Sequence, residues 1–125
     1  MKVLKIIVLA VSLVSFKNTT ATSQEKLEKK TVTITVTYGY VGCTCAQWVI
    51  NNSNINKPQR EYIYLEPAND KLKDADKQVD GTHVLKVKIT GHFYLEKGYP
   101  ENYNPAKGRG DAARIFRYDK IKIVR

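Results

Sequence analysis

The chain has 125 residues, with 21 Lys and Arg against 12 Asp and Glu, which gives a formal net charge of +9. Hydrophobic residues at 42% and charged residues at 26% are typical of an ordinary globular protein with the length of one domain. This composition excludes a disordered chain, a collagen and a polytopic membrane protein.

The N-terminus has the layout of a secretory signal peptide. Lys2 and Lys5 precede an uncharged, mostly apolar run over 6–16, which is shorter than the roughly 20 apolar residues that span a membrane. A small-residue cleavage pattern follows at Ala21-Thr22-Ser23. We therefore expect export to the periplasm or the outside, with no transmembrane segment after cleavage. The predicted parts of the chain are a signal peptide over 1–23, a flexible segment over 24–30 and a β-barrel domain over 31–125.

The chain after residue 30 alternates in the manner of β-strands. Residues 31–40 place threonine or glycine at odd positions and apolar or aromatic residues at even ones, which predicts a strand with one buried face. In the last predicted strand the alternation slips near Asp119 and Lys120, which predicts a bulge. The later predicted strands are 43–50, 61–65, 84–94 and 114–124, and one short helix between Pro67 and Gly81 carries Leu72, Ala75 and Val79 on one face.

Five strands with one short helix between the third and the fourth is the element order of the OB-fold. The chain resembles this family in element order, in size and in its glycine-bent first strand. The resemblance implies an all-β fold built as a small five-stranded antiparallel barrel. It also implies that ligands bind at the loop between strands four and five and on the face of strands two and three. A β-sandwich could use the same five strands.

Cationic and aromatic residues interleave in the long segment 96–112. Such a mixture binds sugars, anionic polymers or single strands through charge and stacking. The OB resemblance adds aromatic residues of the second and third strands. The alternative is that these aromatic residues pack the core and that the loop closes the end of the barrel. The candidate ligand-binding residues are Trp48, Tyr62, Tyr64, Lys97, Tyr99, Tyr103, Lys107, Arg109 and Arg114.

The two cysteines of the chain form a second candidate site, Cys43-Thr44-Cys45. On a flat strand, residues two apart have their Cα atoms about 7 Å apart, at the outer limit for a disulfide. A bridge would therefore need a local bend, and Gly42 could supply it. Three roles stay open for the pair: structural residues or a structural bridge, thiol exchange, and capture of a soft metal such as copper(I).

The remaining residues offer little to a conventional enzyme. Ser53 has no histidine near it in the sequence, and His83 and His92 have opposite parities along one predicted strand. We predict no catalytic residue, no metal site built from histidines and no cofactor. The expected function is an exported, non-catalytic binding module whose partner is an anionic glycan, an envelope surface or a protein, with nucleic acid disfavoured by export. The alternative is a small thiol-redox or soft-metal-binding protein that uses Cys43 and Cys45.

Overall fold

The structure of the protein is a computed structural model that describes residues 26–51, 60–101, 103 and 108–124. Within these residues the chain forms strands and one short 3-10 helix in the predicted order, so the fold is all-β as expected. The helix lies between the third and fourth strands. The elements are β1 (Val32–Tyr38), β2 (Trp48–Ile50), β3 (Tyr62–Pro67), the 3-10 helix (Ala75–Gln78), β4 (Lys86–Phe93) and β5 (Ile115–Val124).

The strands hydrogen-bond in one closed ring, in the order β1-β2-β3-β5-β4. β3 and β5 are parallel, with Tyr64 opposite Ile115, whereas every other neighbouring pair is antiparallel. The predicted all-β, mostly antiparallel fold is therefore confirmed, with one parallel pair that the antiparallel description leaves out. The strand directions cannot alternate all the way round a ring with an odd number of strands, so one neighbouring pair has to be parallel. This mixed ring is compatible with an OB-like barrel.

The alternating segments place their apolar residues inside the ring. Val36 of β1 and both Val87 and Ile89 of β4 have no exposed surface. The residues between them, such as Thr33 and Lys88, are exposed on the outer face. The core therefore has contributions from every strand: its buried members are Val36, Trp48, Ile63, Leu65, Ala75, Val87, Ile89, Phe93, Phe116 and Tyr118.

The predicted bulge is present in β5. Thr90 of β4 lies opposite Lys120, but the next residue, Gly91, lies opposite Tyr118, which leaves Asp119 without a partner in the ladder. The strands approach so closely here that a Cβ on Gly91 would lie 2.8 Å from the Cα of Tyr118 and would overlap the carbonyl oxygen of Arg117. The extra residue resets the alternation, so that apolar residues on both sides of the bulge contact the core.

The helical segment is a single 3-10 turn, shorter than the amphipathic spacing predicted. Asp74 caps it, because its carboxylate accepts a hydrogen bond from the N–H of Asp76 at 3.0 Å. Nearby, the side chain of Asn69 accepts a bond from the N–H of Lys71 at 3.0 Å. Such local bonds compete with helical ones and limit the helix to one turn. The three residues predicted for its apolar face, Leu72, Ala75 and Val79, all contact the core, although only Ala75 lies within the helical turn.

Part of the segment that we expected to be flexible is paired with the end of β4 and the residue that follows it. Leu27 forms an isolated bridge with Tyr94, and the N–H of Glu28 donates to the carbonyl of Phe93 at 2.8 Å. The predicted signal peptide lies outside the described residues. Within the described ranges, no helix combines the length and the apolar character that crossing a membrane requires.

Candidate functional site

Three tyrosines pack together on the outer face of β3. Tyr64 belongs to β3, whereas Tyr99 and Tyr103 come from the connection between β4 and β5, named here the β4–β5 loop (94–114). The ring of Tyr64 lies 5.9 Å from that of Tyr99 and 5.5 Å from that of Tyr103, and the two loop rings are 4.8 Å apart. With Ala46 and Ile115 they form a second, smaller apolar cluster. The protein's own loop thus fills part of the face that the OB resemblance assigned to a ligand.

The hydroxyl groups of the three tyrosines bind backbone atoms of the loops. Tyr64 donates to the carbonyl of Asp111 at 2.9 Å, and Tyr99 donates to the carbonyl of Gly110 at 2.6 Å. Tyr103 accepts a bond from the N–H of Gly110 at 2.8 Å. Each hydroxyl therefore orders a stretch of backbone that has no strand partner.

The β4–β5 loop is also bound to the β1–β2 loop (39–47). Tyr103 donates to the carbonyl of Thr44 at 2.7 Å, and the Thr44 hydroxyl donates to the carbonyl of Gly108 at 2.7 Å. At Gly110 the two backbones touch, since a Cβ there would lie 2.8 Å from the Cα of Cys45. The two loops therefore form one continuous outer surface. We call it the joined-loop surface, and it consists of residues 41–46, Tyr62 and residues 108–113.

Cys43 and Cys45 form a disulfide within this surface. Their Cα atoms are 5.2 Å apart, inside the usual range for a disulfide, because the chain bends here instead of continuing as a strand. The side chain of Gln47 stabilises the bend: its amide donates to the carbonyls of Cys43 and Cys45 at 2.9 and 3.1 Å, and its oxygen accepts from the N–H of Val41 at 2.8 Å. The predicted strand 43–50 is thus shortened to its last three residues, which form β2.

A shallow apolar groove of about 270 Å³ opens on the joined-loop surface. Cys45 lies in its wall next to Tyr62, which is 36% exposed and extends from β3. Small apolar residues on both loops form much of the rest. The lining residues are Val41, Cys45, Ala46, Tyr62, Asp111, Ala112 and Ala113.

The predicted cationic residues lie in different environments. The guanidinium of Arg109 is exposed and lies 4.9 Å from the ring centre of Tyr99, at the rim of the joined-loop surface. Arg114 is engaged within the protein, with an ion pair to Glu61 at 3.0 Å and a position 3.7 Å over the ring of Phe93. Lys97 is exposed, and Lys107 lies outside the described residues.

The pKa values of two tyrosines in the cluster are shifted in opposite directions. Burial raises the pKa of Tyr64 well above its ordinary value, and the charge and hydrogen bonding of Tyr103 raise it further. Burial acts in the same direction on Tyr103, but the N–H of Gly110 and the hydrogen bond with Thr44 outweigh it and leave the Tyr103 pKa below its ordinary value. Tyr64 therefore keeps its proton and remains a donor to the loop, whereas Tyr103 is the easier of the two to ionise.

Trp48, the other aromatic candidate, is a core residue with 1% of its surface exposed. Its indole Nε1 donates to Asp76 at 2.7 Å, across to the 3-10 helix. Burial raises the pKa of Asp76, and this hydrogen bond opposes that effect. Of the two roles weighed for Trp48, its position fits packing, because it presents no surface to a ligand.

Comparison of the chain with protein-family models, with curated proteins and with solved structures finds no match. The candidate site therefore rests on its geometry. Thr44, Gln47 and Gly110 hold the joined-loop surface together, although none of them is among the predicted ligand-binding residues. The two glycines that flank Arg109 are typical of an irregular loop, but nothing in the residue pattern shows which backbone Gly110 approaches.

A second cavity, of about 620 Å³, lies on the other side of the tyrosine cluster. Its wall includes Glu66, a glutamate that is only 4% exposed. The hydroxyl of Tyr94 donates to one oxygen of Glu66, and the N–H of Glu101 donates to the other at 2.7 Å. Burial, followed by this hydrogen bond, raises the pKa of Tyr94 to about 12. Glu66 thus attaches the first part of the β4–β5 loop to β3.

The two histidines lie apart and bind different groups. His83 is exposed next to Asp80 at 3.0 Å, whereas Nδ1 of His92 lies 2.9 Å from the carbonyl of Glu28. In the described portion of the chain, no three His, Cys, Asp or Glu residues come together in a way that could hold a metal ion.

Proposed function

We propose that this protein is an exported, non-catalytic binding module that holds a protein partner on its joined-loop surface. The observation that supports this proposal is the set of tyrosine hydrogen bonds that fixes the two loops against each other. A surface that is ordered before binding loses less conformational entropy when the partner arrives. The hydroxyls of Tyr64, Tyr99 and Tyr103 serve this ordering role, which gives them a structural use without any catalytic one.

The chemistry of the joined-loop surface favours a protein over a sugar at this position. The groove is lined mainly by alanine, valine and cystine, which suit an apolar side chain. Tyr62 lines the groove and Arg109 is exposed on the same joined-loop surface, and these two residue types are enriched among the residues that contribute most to protein interfaces. The partner is therefore expected to place an apolar side chain in the groove and an acidic group near Arg109. Export rests on the signal-peptide pattern of residues 1–23.

A displayed library of random peptides offers a direct test. Residues 24–125 are immobilised, and peptides are selected and then measured individually by fluorescence anisotropy. We expect the selected peptides to carry apolar and acidic residues, and we expect Tyr62→Ser and Arg109→Ala each to raise the Kd by about tenfold or more, as truncation of a central interface residue does.

Lys71→Ala is the matched control, because Lys71 is an exposed cation on the connection between β3 and the 3-10 helix, away from the joined-loop surface. Its Kd should equal that of the unmodified protein. Peptides that bind all three variants with the same Kd would show that the joined-loop surface is not the binding site. The same conclusion would follow if Lys71→Ala weakened binding as much as Arg109→Ala.

A second candidate function is thiol exchange at Cys43 and Cys45. The observation in its favour is that Cys43 is exposed, so that a partner dithiol could approach the disulfide. Exchange would transfer two electrons and two protons from the partner, which becomes a disulfide while Cys43 and Cys45 become thiols. Only those thiols could then act as ligands for copper(I).

Alkylation and mass spectrometry across a series of glutathione redox buffers would test this candidate. Thiol exchange requires a buffer range in which the oxidised and reduced forms coexist and interconvert within minutes. A disulfide that stays intact in every non-denaturing buffer would instead be a structural brace of the β1–β2 loop.

A further inference from the structure

The outer face of the ring on the β4–β5 side carries four lysines in a regular array. Lys86 and Lys88 alternate with core residues along β4, and Lys120 and Lys122 lie on β5; all four are exposed. The register places Lys88 directly opposite Lys122, and Lys120 opposite Thr90. Side chains two apart on a strand are separated by about 7 Å, and those on neighbouring strands by about 5 Å. We call these four residues the lysine lattice.

Among the described residues, no acidic side chain forms an ion pair with the lysine lattice. Among the described residues, the ion pairs are Arg114 with Glu61 and His83 with Asp80, and neither involves a lattice lysine. The strands β1, β4 and β5, which the structure describes in full, contain a single acidic residue, Asp119. That residue sits in the bulge and lines a separate cleft together with His92 and Arg117. Like charges directly opposite each other destabilise a sheet, so this arrangement has an unfavourable energy until anions approach it.

The surroundings of the lattice indicate which anion fits. β1 lies beside β4 and presents a column of threonines, with Thr35 opposite Lys88 and Thr37 opposite Lys86. Farther along, the hydroxyls of Thr33 and Thr90 are 2.8 Å apart across the same pair of strands. The face therefore combines ammonium groups with hydroxyl groups. Sugar hydroxyls can exchange hydrogen bonds with threonine, and acidic substituents can pair with lysine.

We propose that the lysine lattice and the threonine column beside it bind a linear anionic polysaccharide, one bearing sulfate or carboxylate groups along its length. A membrane surface fits less well, because the outside of a ring of strands is convex and the exposed apolar side chain beside the lattice, Val124 opposite Lys86, is small compared with the Trp, Phe and Leu that insert into lipid. Single-stranded nucleic acid also fits less well, because no aromatic residue lies among the four lysines to stack on a base. The lattice shares no residue with the joined-loop surface, so this proposal is independent of the proposed function.

The experiment measures binding of dextran sulfate and of hyaluronate to residues 24–125 by isothermal titration at several salt concentrations, with neutral dextran as the reference polymer. The variant is the double substitution Lys88→Thr and Lys122→Thr, which introduces a residue already common on this face. We expect the double variant to bind either polyanion about tenfold or more weakly, and the slope of log K against log salt to fall by about one for each lysine removed, because fewer counterions are released.

The matched control is the double substitution Lys71→Thr and Lys77→Thr, which removes the same charge from exposed positions outside the strands. It should bind the polyanions almost as well as the unmodified protein. An equal loss of affinity in both double variants would show that only the net charge matters and would overturn the proposal. Unchanged binding in the Lys88 and Lys122 variant would overturn it as well. Tighter binding to vesicles of anionic lipid or to single-stranded DNA, at equal charge concentration, would overturn the choice of a polysaccharide.

Folding of the variants is verified independently by thermal unfolding. Removal of the Lys88–Lys122 repulsion should leave the Tm equal to or above that of the unmodified protein, so weaker binding will report on the surface itself. Peptide binding to the joined-loop surface should be the same in the unmodified protein and in this variant, which distinguishes failure of one proposal from failure of the other.

Discussion

The polar groups on the two sides of the ring have different partners. On the β3 side, three tyrosine hydroxyls, a threonine and a glutamine bind loop backbone, and Arg114 is paired with Glu61. On the β4–β5 side, four lysines lie on a regular sheet, and none of them forms an ion pair with another described residue. Internal hydrogen bonds fix the shape of the first side, which suits recognition of a partner with a complementary shape. On the second side the strand register alone sets the positions of the charges, which suits binding of an anion with a strength that depends on salt concentration.

The largest expected effect is a loss of stability at Gly91, in the strand β4 that carries two residues of the lysine lattice. Gly91→Ala would place a Cβ against the backbone of Arg117 and Tyr118, which cannot move away without breaking the β4–β5 ladder. We expect the free energy of unfolding to fall by about 3 kcal/mol or more. Urea denaturation measures it, with Gly98→Ala as control, because a Cβ at Gly98 would make only an ordinary contact of 3.8 Å with Ile115. Similar losses in both variants would contradict the close approach at Gly91.

The corresponding change on the other side of the ring is Gly110→Ala. A Cβ at this position would lie 2.8 to 2.9 Å from backbone atoms of Thr44 and Cys45 and would push the two loops apart. We expect a loss of about 1 to 3 kcal/mol in the free energy of unfolding and weaker binding of peptides selected on the joined-loop surface. Gly42→Ala should change neither quantity, since no atom lies within 4 Å of a Cβ there. If Gly110→Ala left peptide binding unchanged, the close contact between the two loops would not be needed for recognition.

Alkaline pH should weaken the fold through its buried phenols. Burial is the main cause that raises the pKa of Tyr118 to about 12, while its hydroxyl donates to the carbonyl of Lys73 at 2.6 Å. The folded state then holds this proton more tightly than the unfolded state, whose tyrosine pKa is about 10. The stabilisation is complete below pH 10 and is lost as the pH rises from about 10 to about 12.

Urea denaturation of the unmodified protein and of Tyr118→Phe over this pH range measures the effect. We expect the difference in unfolding free energy between the two to shrink by about 1 to 2 kcal/mol as the pH rises. Parallel pH profiles would show that Tyr118 titrates alike in both states. The comparison at each pH cancels the titration of the lysines, which occurs in the same range.

The smallest expected effect is a gain. Lys88→Thr removes one member of the directly opposed pair with Lys122, and we expect the free energy of unfolding to rise by about 0.2 to 1 kcal/mol at low salt. The gain should shrink toward zero near 1 M salt, where charges are screened over about 3 Å. A loss of stability at every salt concentration would show that Lys88 contributes more through its aliphatic stem than it costs through its charge.

Much of the fold could be predicted from local patterns. Alternation located β1, β4 and β5, and the slip near Asp119 located the bulge, because burial of one face constrains each residue of a strand. The parallel β3–β5 pair could not be predicted from any single strand, since it follows from closing a ring of five. β2 was predicted too long, because the apolar run 43–50 does not reveal that Gln47 and the disulfide bend the chain.

Less of the site could be predicted. Composition indicated that tyrosines and cations of the β4–β5 loop belong together, and Tyr99, Tyr103 and Arg109 do lie close to one another. Their hydroxyl partners could not be predicted, because a backbone carbonyl has the same chemistry in every residue. The lysine lattice needed the register as well: parity turns Lys88 outward, but only the pairing of β4 with β5 brings Lys122 opposite it.

The parallel pair also has a consequence for the order of folding. Tyr64 and Ile115 are neighbours in the ring although β4 and the whole β4–β5 loop separate them along the chain. Closing so long a stretch costs chain entropy before any contact repays it, which slows folding. Until β5 is in place, both β3 and β4 expose an unpaired edge that can join another molecule. A chain truncated before Ile115 should therefore aggregate, because β5 is the strand that covers both of these edges.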